Sequence, residues 1–324
     1  MTFLEDIIKH LGSNWDNFRS RLLSAVNSDI ELLNSINEYV LGSKGKRIRP
    51  IMTLLSAKMA GEINEESEET AVIVELIHNA TLMHDDVADD SEMRRGRKTV
   101  KAYFSPAASV LTGDYWLAES LEMLTHQKTP GILANFTNAV SCLASGEMLQ
   151  MDKSERMDTD ESDYMQIITD KTSSLFIACM TSAVMTVTGD KEAHEAIRRF
   201  AWNIGAAFQI QDDIFDYSPQ LHTGKKYGTD IKERKITLPL IGAFNNTGVE
   251  EKSHIIEMMK HHGNDEELVE AVMKFVHENK GIEYAKCSLN RHIDNAIASL
   301  SYFKDSEAKS SLIRIAEYLA IRDN

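Results

Sequence analysis

The stretch from His78 to Thr99 reads HNATLMHDDVADDSEMRRGRKT, an apolar helical lead-in followed by an acidic cluster and then a basic one. On an α-helix, residues four apart lie about 40° from each other around the axis, so Asp85 and Asp89 share one face, as do Asp86 and Asp90. Carboxylates this close disfavour one another's ionisation, and a hard divalent cation relieves the repulsion. Magnesium suits such an edge because it combines a few carboxylates with water and phosphate oxygens instead of demanding an all-protein cage. Arg94, Arg95, Arg97 and Lys98 follow at once. Guanidinium forks match phosphate oxygens and lysine adds a point charge, so metal and arginine together can hold one polyphosphate from two sides.

The surrounding chain sets the limits of this reading. With 324 residues, 43% hydrophobic and 26% charged, it is long enough for a large core. A net charge of −15 argues against nucleic acid or an anionic membrane as the main partner, since both need a positive surface. Cys142, Cys179 and Cys287 are widely spaced within apolar helical patterns, which fits reduced thiols and a cytoplasmic location. The N-terminus, MTFLEDIIKHLGSNWDNF, carries acids and lacks the apolar core of a signal peptide. The most apolar run, Leu175 to Val187, is short for a membrane span and includes Thr181, Ser182 and Thr186, so it reads as a buried helix, and no transmembrane segment is expected.

The five prolines sit at helix starts or in turns, and long windows space apolar residues by three and four. The pattern predicts helices over Asn14–Leu41, Pro50–Ala60, Glu65–Asp89, Pro106–Leu124, Gly131–Met151, Thr159–Thr188, Lys191–Tyr217 and Leu238–Phe244, and several between Glu250 and Ile321. No convincing alternating strand is found. The expected fold is therefore all-α, a single large helical bundle over residues 1–324 with the acidic helix ends facing a shared cavity.

A second acidic cluster decides between a solvated helix end and a metal site. In QIQDDIFDY, Gln209 to Tyr217, Asp212 and Asp216 share one helical face and Asp213 flanks them, repeating the spacing of Asp85, Asp86 and Asp89. Both clusters end apolar, core-like turns, a setting that suits paired metal sites better than solvated faces. With them stand GKRIRP (Gly45 to Pro50), GDYW (Gly113 to Trp116), KTSSLF (Lys171 to Phe176) and TGKKYGTDIKERKITLPL (Thr223 to Leu240). In order and spacing, over nearly the whole chain, these motifs resemble the trans-isoprenyl diphosphate synthases, the polyprenyl synthetase family.

The resemblance implies a fold of the isoprenoid synthase type and a prenyltransferase that condenses isopentenyl diphosphate with an allylic diphosphate such as farnesyl or geranyl diphosphate. It makes Asp85 and Asp89 ligands of Mg2+ on the allylic diphosphate, with Asp86 in support, and Asp212, Asp213 and Asp216 ligands of a further Mg2+ from the opposite helix. Arg94, Lys171 and Lys225 are expected at the allylic diphosphate, and Lys46, Arg49, His78 and Arg95 at isopentenyl diphosphate. Thr172 and Gln209 match positions that line the site near the developing cation. His78 lies seven residues before Asp85, nearly two helical turns, and so on the same face. A homodimer, and transient membrane contact for release of a long product, are also implied. The chain departs from the family pattern at Lys44, which stands where a glycine is usual, and at Ala88 and Asp90, none of which removes a ligand.

Product length is expected to follow from the helix before Asp85, because the growing tail must run from the metals into an apolar tunnel. In the family, a bulky aromatic four or five positions before the first aspartate stops the tail early. Here Ala80 and Thr81 occupy those positions, which predicts a tunnel open past the farnesyl stage. Phe136 is the candidate floor. The resemblance suggests products from heptaprenyl to decaprenyl, with octaprenyl central, of the kind used as a respiratory-quinone side chain; the alternatives are a shorter-chain farnesyl or geranylgeranyl diphosphate synthase and a non-catalytic subunit of a heteromeric synthase.

Overall fold

The structure is a computed structural model that describes residues 3–43, 45–217, 228–262 and 266–321. In chain order its first helices are α1 (Phe3–Leu11), α2 (Ser13–Ala25), α3 (Glu31–Leu41), α4 (Ile48–Ala60) and α5 (Glu65–Ala88). A hairpin of β1 (Met93–Arg94) and β2 (Arg97–Lys98) leads to α6 (Val100–Tyr103), α7 (Pro106–Thr125) and α8 (Ile132–Arg156). There follow α9 (Glu161–Ile168), a π-helical turn (Thr169–Ser173), α10 (Ser174–Met185), α11 (Lys191–Asp216), α12 (Thr229–Lys232) and α13 (Leu238–Asn245). The chain closes with α14 (Val249–His262), α15 (Glu266–Glu278), α16 (Gly281–Ser299) and α17 (Glu307–Ile321). The fold is all-α, as the periodicity predicts.

The chain divides into two compact units. The first comprises Met1–Thr137, Ala178–Ile197 and Tyr302–Leu312, and the second Asn138–Ile177, Arg198–Ser301 and Ile313–Asn324. In the first, α5 is the element on which the others pack, with α2, α4 and α7 against it. Every residue from Thr70 to Ile77 is buried, as expected of a helix apolar on all sides. Its start is fixed by a capping box, Asn64 accepting from the Ser67 N–H at 3.0 Å and Ser67 accepting from the Asn64 N–H. Glu65, Glu66 and Glu68 in the first turn complement the helix dipole.

Three local features depart from the expected pattern. The helix predicted over Asn14–Leu41 breaks between α2 and α3, where Asn27, Ser28 and Asp29 offer side-chain partners that compete with the helical ladder. There the Asn34 side chain accepts from the Ser28 N–H at 3.0 Å and donates to the Ser28 carbonyl at 2.5 Å. A short antiparallel ribbon occurs where no strand was expected, turned by Arg95 and Gly96, both at positive φ as tight hairpins require. The helix predicted over Thr159–Thr188 is interrupted by the π turn.

In the second unit that turn is held by α11. Gly205 faces Ser173 so closely that a Cβ at Gly205 would lie 2.5 Å from the Ser173 Cα, so only glycine lets the two backbones approach. The Ser173 hydroxyl donates to the Trp202 carbonyl at 3.1 Å, and the Trp202 indole N–H donates to Thr169 Oγ1 at 3.1 Å. His292 of α16 packs edge-on against Trp202, and its Nδ1 lies 2.9 Å from Asn203 Oδ1. Among the described residues, no helix is long and apolar enough to cross a membrane.

Candidate functional site

In the first unit the acidic end of α5 meets the β1–β2 hairpin. Asp85 is half-buried, Asp86 is buried and Asp89, which caps the helix, is exposed. A helix C-terminus carries partial negative charge, so carboxylates gathered there favour a cation. The hairpin brings Arg94 back to the helix, and its Nε donates to Asp86 Oδ1 at 2.7 Å. Burial pushes the Asp86 carboxyl up, Arg94 pulls it down and Asp89 pushes it up again. Asp90, the fourth acid of the cluster, pairs with Lys101, which also lies 3.6 Å from Glu92.

Two turns earlier on α5, the basic residues of the α4 start and the hairpin gather around His78. Arg49 Nη1 lies 3.3 Å from His78 Nε2. Arg95 reaches across to Gly45, where a Cβ would meet its Nη1 at 2.7 Å. Burial and then the positive field of Arg49, Arg95 and Arg94 hold the His78 imidazole well below its ordinary pKa, so at neutral pH it is uncharged. Arg49 is itself drawn down to about 10 by burial. Lys46 is exposed at the start of the same segment. Of the residues predicted for isopentenyl diphosphate, the structure thus groups Arg49, His78 and Arg95, with Lys46 next to Gly45.

The residues predicted to set product length are interior. Ala80 is 1% exposed and Phe136 fully buried, while the half-buried Thr81 turns its hydroxyl back to the His78 carbonyl at 2.9 Å.

In the second unit, the π turn carries Lys171 and Thr172. Widening to an i→i+5 turn is rare and often marks functional positions. Lys171 Nζ donates to Glu147 Oε2 at 2.5 Å and also to Gln150 Oε1. Thr172 Oγ1 donates to Gln209 Oε1 at 2.8 Å, and the Gln209 amide donates to Asp213 Oδ1 at 2.9 Å. Tyr164 completes the chain by donating to Asp213 Oδ2 at 2.5 Å. Burial pushes Asp213 up to about 7, against the Tyr164 and Gln209 hydrogen bonds and with help from Asp212 and Asp216. Asp216 accepts the N–H groups of Thr229 and Asp230 at 3.0 and 2.9 Å, capping α12. Asp230 is raised well above the usual carboxylate range, by burial first and then by Asp213 and Asp216.

The three aspartates of this cluster therefore stand in different settings. Asp212 is exposed, Asp216 is half-buried and bound to backbone N–H groups, and Asp213 is buried with both oxygens accepting from protein donors. Lys225, predicted at the allylic diphosphate, and Lys44 lie outside the described residues. Among the described residues, no group of three or more histidines, cysteines or carboxylates is drawn together tightly enough to hold a metal by itself. The donors at the two clusters are nonetheless all oxygens, the set that hard cations prefer, and magnesium takes much of its shell from water and phosphate. The residues present fit that ion.

Sequence reasoning missed Tyr164, the Glu147 and Gln150 partners of Lys171, and the carboxyls of Glu75 and Asp230. Asp230 lies inside the quoted TGKKYGTDIKERKITLPL motif, and Glu75 precedes His78 by three residues, so both were open to notice.

Comparison with known proteins fits this arrangement. A model of the polyprenyl synthetase family matches residues 30–276. An octaprenyl diphosphate synthase from Haemophilus influenzae is 33% identical over 322 residues, covering 99% of this chain and 97% of its own. An all-trans-nonaprenyl-diphosphate synthase, geranyl-diphosphate specific, from Rhodobacter capsulatus is 34% identical over 315 residues, covering 97% of this chain and 96% of its own. Among solved structures, a Caulobacter crescentus polyprenyl synthase complexed with calcium and isoprenyl diphosphate superposes with a TM-score of 0.91 at 28% identity, covering 99% of this chain and 98% of that one.

Proposed function

Since the chain belongs to the polyprenyl synthetase family and is a prenyltransferase, we propose that it is a magnesium-dependent synthase of a long trans-polyprenyl diphosphate, octaprenyl-like in length. Each cycle joins the double bond of isopentenyl diphosphate to the allylic carbon, with loss of diphosphate and one proton, and lengthens the product by one isoprene unit. The observation that carries the reading is the first unit's juxtaposition of an acidic helix end with the Arg49, His78 and Arg95 group, a setting for metal and diphosphate together.

In this reading Asp85 and Asp89 would hold magnesium at the allylic diphosphate, Asp212 and Asp216 would hold a further ion, and the metal would supply positive charge to the departing diphosphate. Asp86 aims Arg94 at that diphosphate, and Lys171, with Lys225, adds positive charge to it. Asp213 braces the second cluster through Tyr164 and Gln209, while Thr172 and Gln209 present oxygen dipoles near the allylic cation. Lys46, Arg49 and Arg95 bind the diphosphate of isopentenyl diphosphate, and neutral His78 offers a hydrogen bond instead of charge. Catalysis is mostly electrostatic, from charges positioned before the bond breaks.

Long products are supported by the small Ala80 and by relatives named for octaprenyl and nonaprenyl products. We take the chain as one polyprenyl synthetase domain acting in the cytoplasm, its product passing to a membrane and feeding quinone side-chain synthesis. A homodimer is supported by Val110 and Leu121 on α7, eleven residues apart and so on one face, which are 37% and 41% exposed beside Leu111 at 67%. The test is chromatography of products made from farnesyl diphosphate, isopentenyl diphosphate and Mg2+. A dominant C40 product is expected, and accumulation at C20 or below would overturn the long-chain assignment.

A further inference from the structure

The arginines around His78 pose an electrostatic problem that the proposed substrate contacts leave open. Arg47 and Arg49 come from the start of α4 and Arg95 from the hairpin, the positive charge of Arg95 is felt at Arg49, and like charges held near one another repel. A diphosphate would bind them well, yet something must hold them in place before it arrives. One helical turn before His78 on α5 stands Glu75, only 7% exposed and within the positive field of all three. Carboxylates are almost never this buried without partners.

We propose that Glu75 is a positioning residue of the isopentenyl diphosphate subsite, the internal counter-charge that keeps Arg47, Arg49 and Arg95 assembled beside His78. Glu75, His78 and Asn79 lie at i, i+3 and i+4, so all three project from one face of α5. Asn79 donates its side-chain amide to the Glu75 carbonyl at 2.7 Å. Arg49 is placed by its 3.3 Å approach to His78, and Arg95 by its contact over Gly45. Burial pushes the Glu75 carboxyl up, while Arg47, Asn79, Arg49 and Arg95 oppose that push in turn. Reciprocally, Glu75 is among the groups that hold Arg49 charged against the cost of burial.

The inference rests on the proposed role of Arg49 and His78 at isopentenyl diphosphate, and the experiment separates the two. Glu75→Gln keeps the shape and the Asn79 contact but removes the charge, and Glu75→Asp restores it on a shorter stem. KM for isopentenyl diphosphate, KM for the allylic diphosphate and kcat are measured for both, with melting temperature in parallel and Arg49→Lys as the control. Glu75→Gln should raise KM for isopentenyl diphosphate about tenfold, the effect of ~1.4 kcal/mol of lost preorganisation. The allylic KM and kcat should stay within about twofold, and Glu75→Asp should recover part of the loss. If Arg49→Lys raises that KM and Glu75→Gln does not, the inference fails while the subsite reading stands. If Arg49→Lys leaves it unchanged, the subsite reading fails and takes the inference with it. A fall in kcat and a rise in both KM values, together with a lower melting temperature, would mark Glu75 as a general stabiliser and overturn the proposal.

Discussion

Tyr164 donates its hydroxyl to Asp213 Oδ2 at 2.5 Å, with both side chains buried. A hydrogen bond to a buried carboxylate contributes about 1.5–3 kcal/mol, and removing the donor leaves the acceptor desolvated without return. Tyr164→Phe should therefore lower unfolding stability by about 2 kcal/mol and slow turnover by loosening the second cluster. Urea denaturation and steady-state kinetics check this, and the loss should largely vanish in an Asp213→Asn background. An equal loss in both backgrounds would show that the two groups are not coupled.

Gly205 lets α11 lie against the π turn that bears Lys171 and Thr172. A methyl group there would sit 2.5 Å from the Ser173 Cα, a backbone atom with no rotamer to retreat into. Gly205→Ala should cost about 2 kcal/mol or more by overpacking and reduce kcat by displacing Thr172 from Gln209. A variant as stable and as active as the parent would show that the turn is not set by this contact.

What the sequence made legible and what it concealed divide along physical lines. The bounds of α5 were readable because Asn64 caps it and its apolar period runs unbroken, and the spacing within each acidic cluster needs only the helical repeat. The break at Asn27–Asp29 was readable in principle from three residues that compete for the backbone. The π turn was not, because nothing within Thr169–Ser173 demands a wider turn, and its partners Trp202 and Gly205 lie about thirty residues away. The partners of Asp213 were hidden for the same reason, since Tyr164 is 49 residues distant. Glu75 reads as one more position in an apolar helix, because the arginines whose charge reaches it come from α4 and the hairpin.

His292, 4% exposed and bound to Asn203, is pushed down to about 4 by burial, with Arg291 adding to the effect. Between about pH 6.5 and 4 the unfolded chain carries one more proton at this position than the folded chain, so stability falls as pH drops through that window. The contribution is on the order of 2–3 kcal/mol. His292→Gln should flatten this part of the stability profile, as measured by denaturation at pH 7 and pH 4.5. An unchanged slope would place the acid sensitivity elsewhere.

Ala80, one turn and a residue before Asp85, is proposed to leave the product tunnel open. Ala80→Tyr should shift the product to shorter chains by several isoprene units, read by chromatography against chain-length standards. Because Ala80 is 1% exposed, melting temperature is followed alongside. A folded, active variant with an unchanged product distribution would mean that the tail takes another route.

The central claim is that the two aspartate clusters drive a metal-dependent condensation. The most direct measurement is diphosphate release by the purified chain given Mg2+, farnesyl diphosphate and isopentenyl diphosphate, compared with Asp85→Ala and Asp212→Ala. The account predicts steady release that stops when the metal is chelated and falls at least about a hundredfold in each variant. Release at near-parental rates in both variants, or undiminished release without divalent metal, would contradict it.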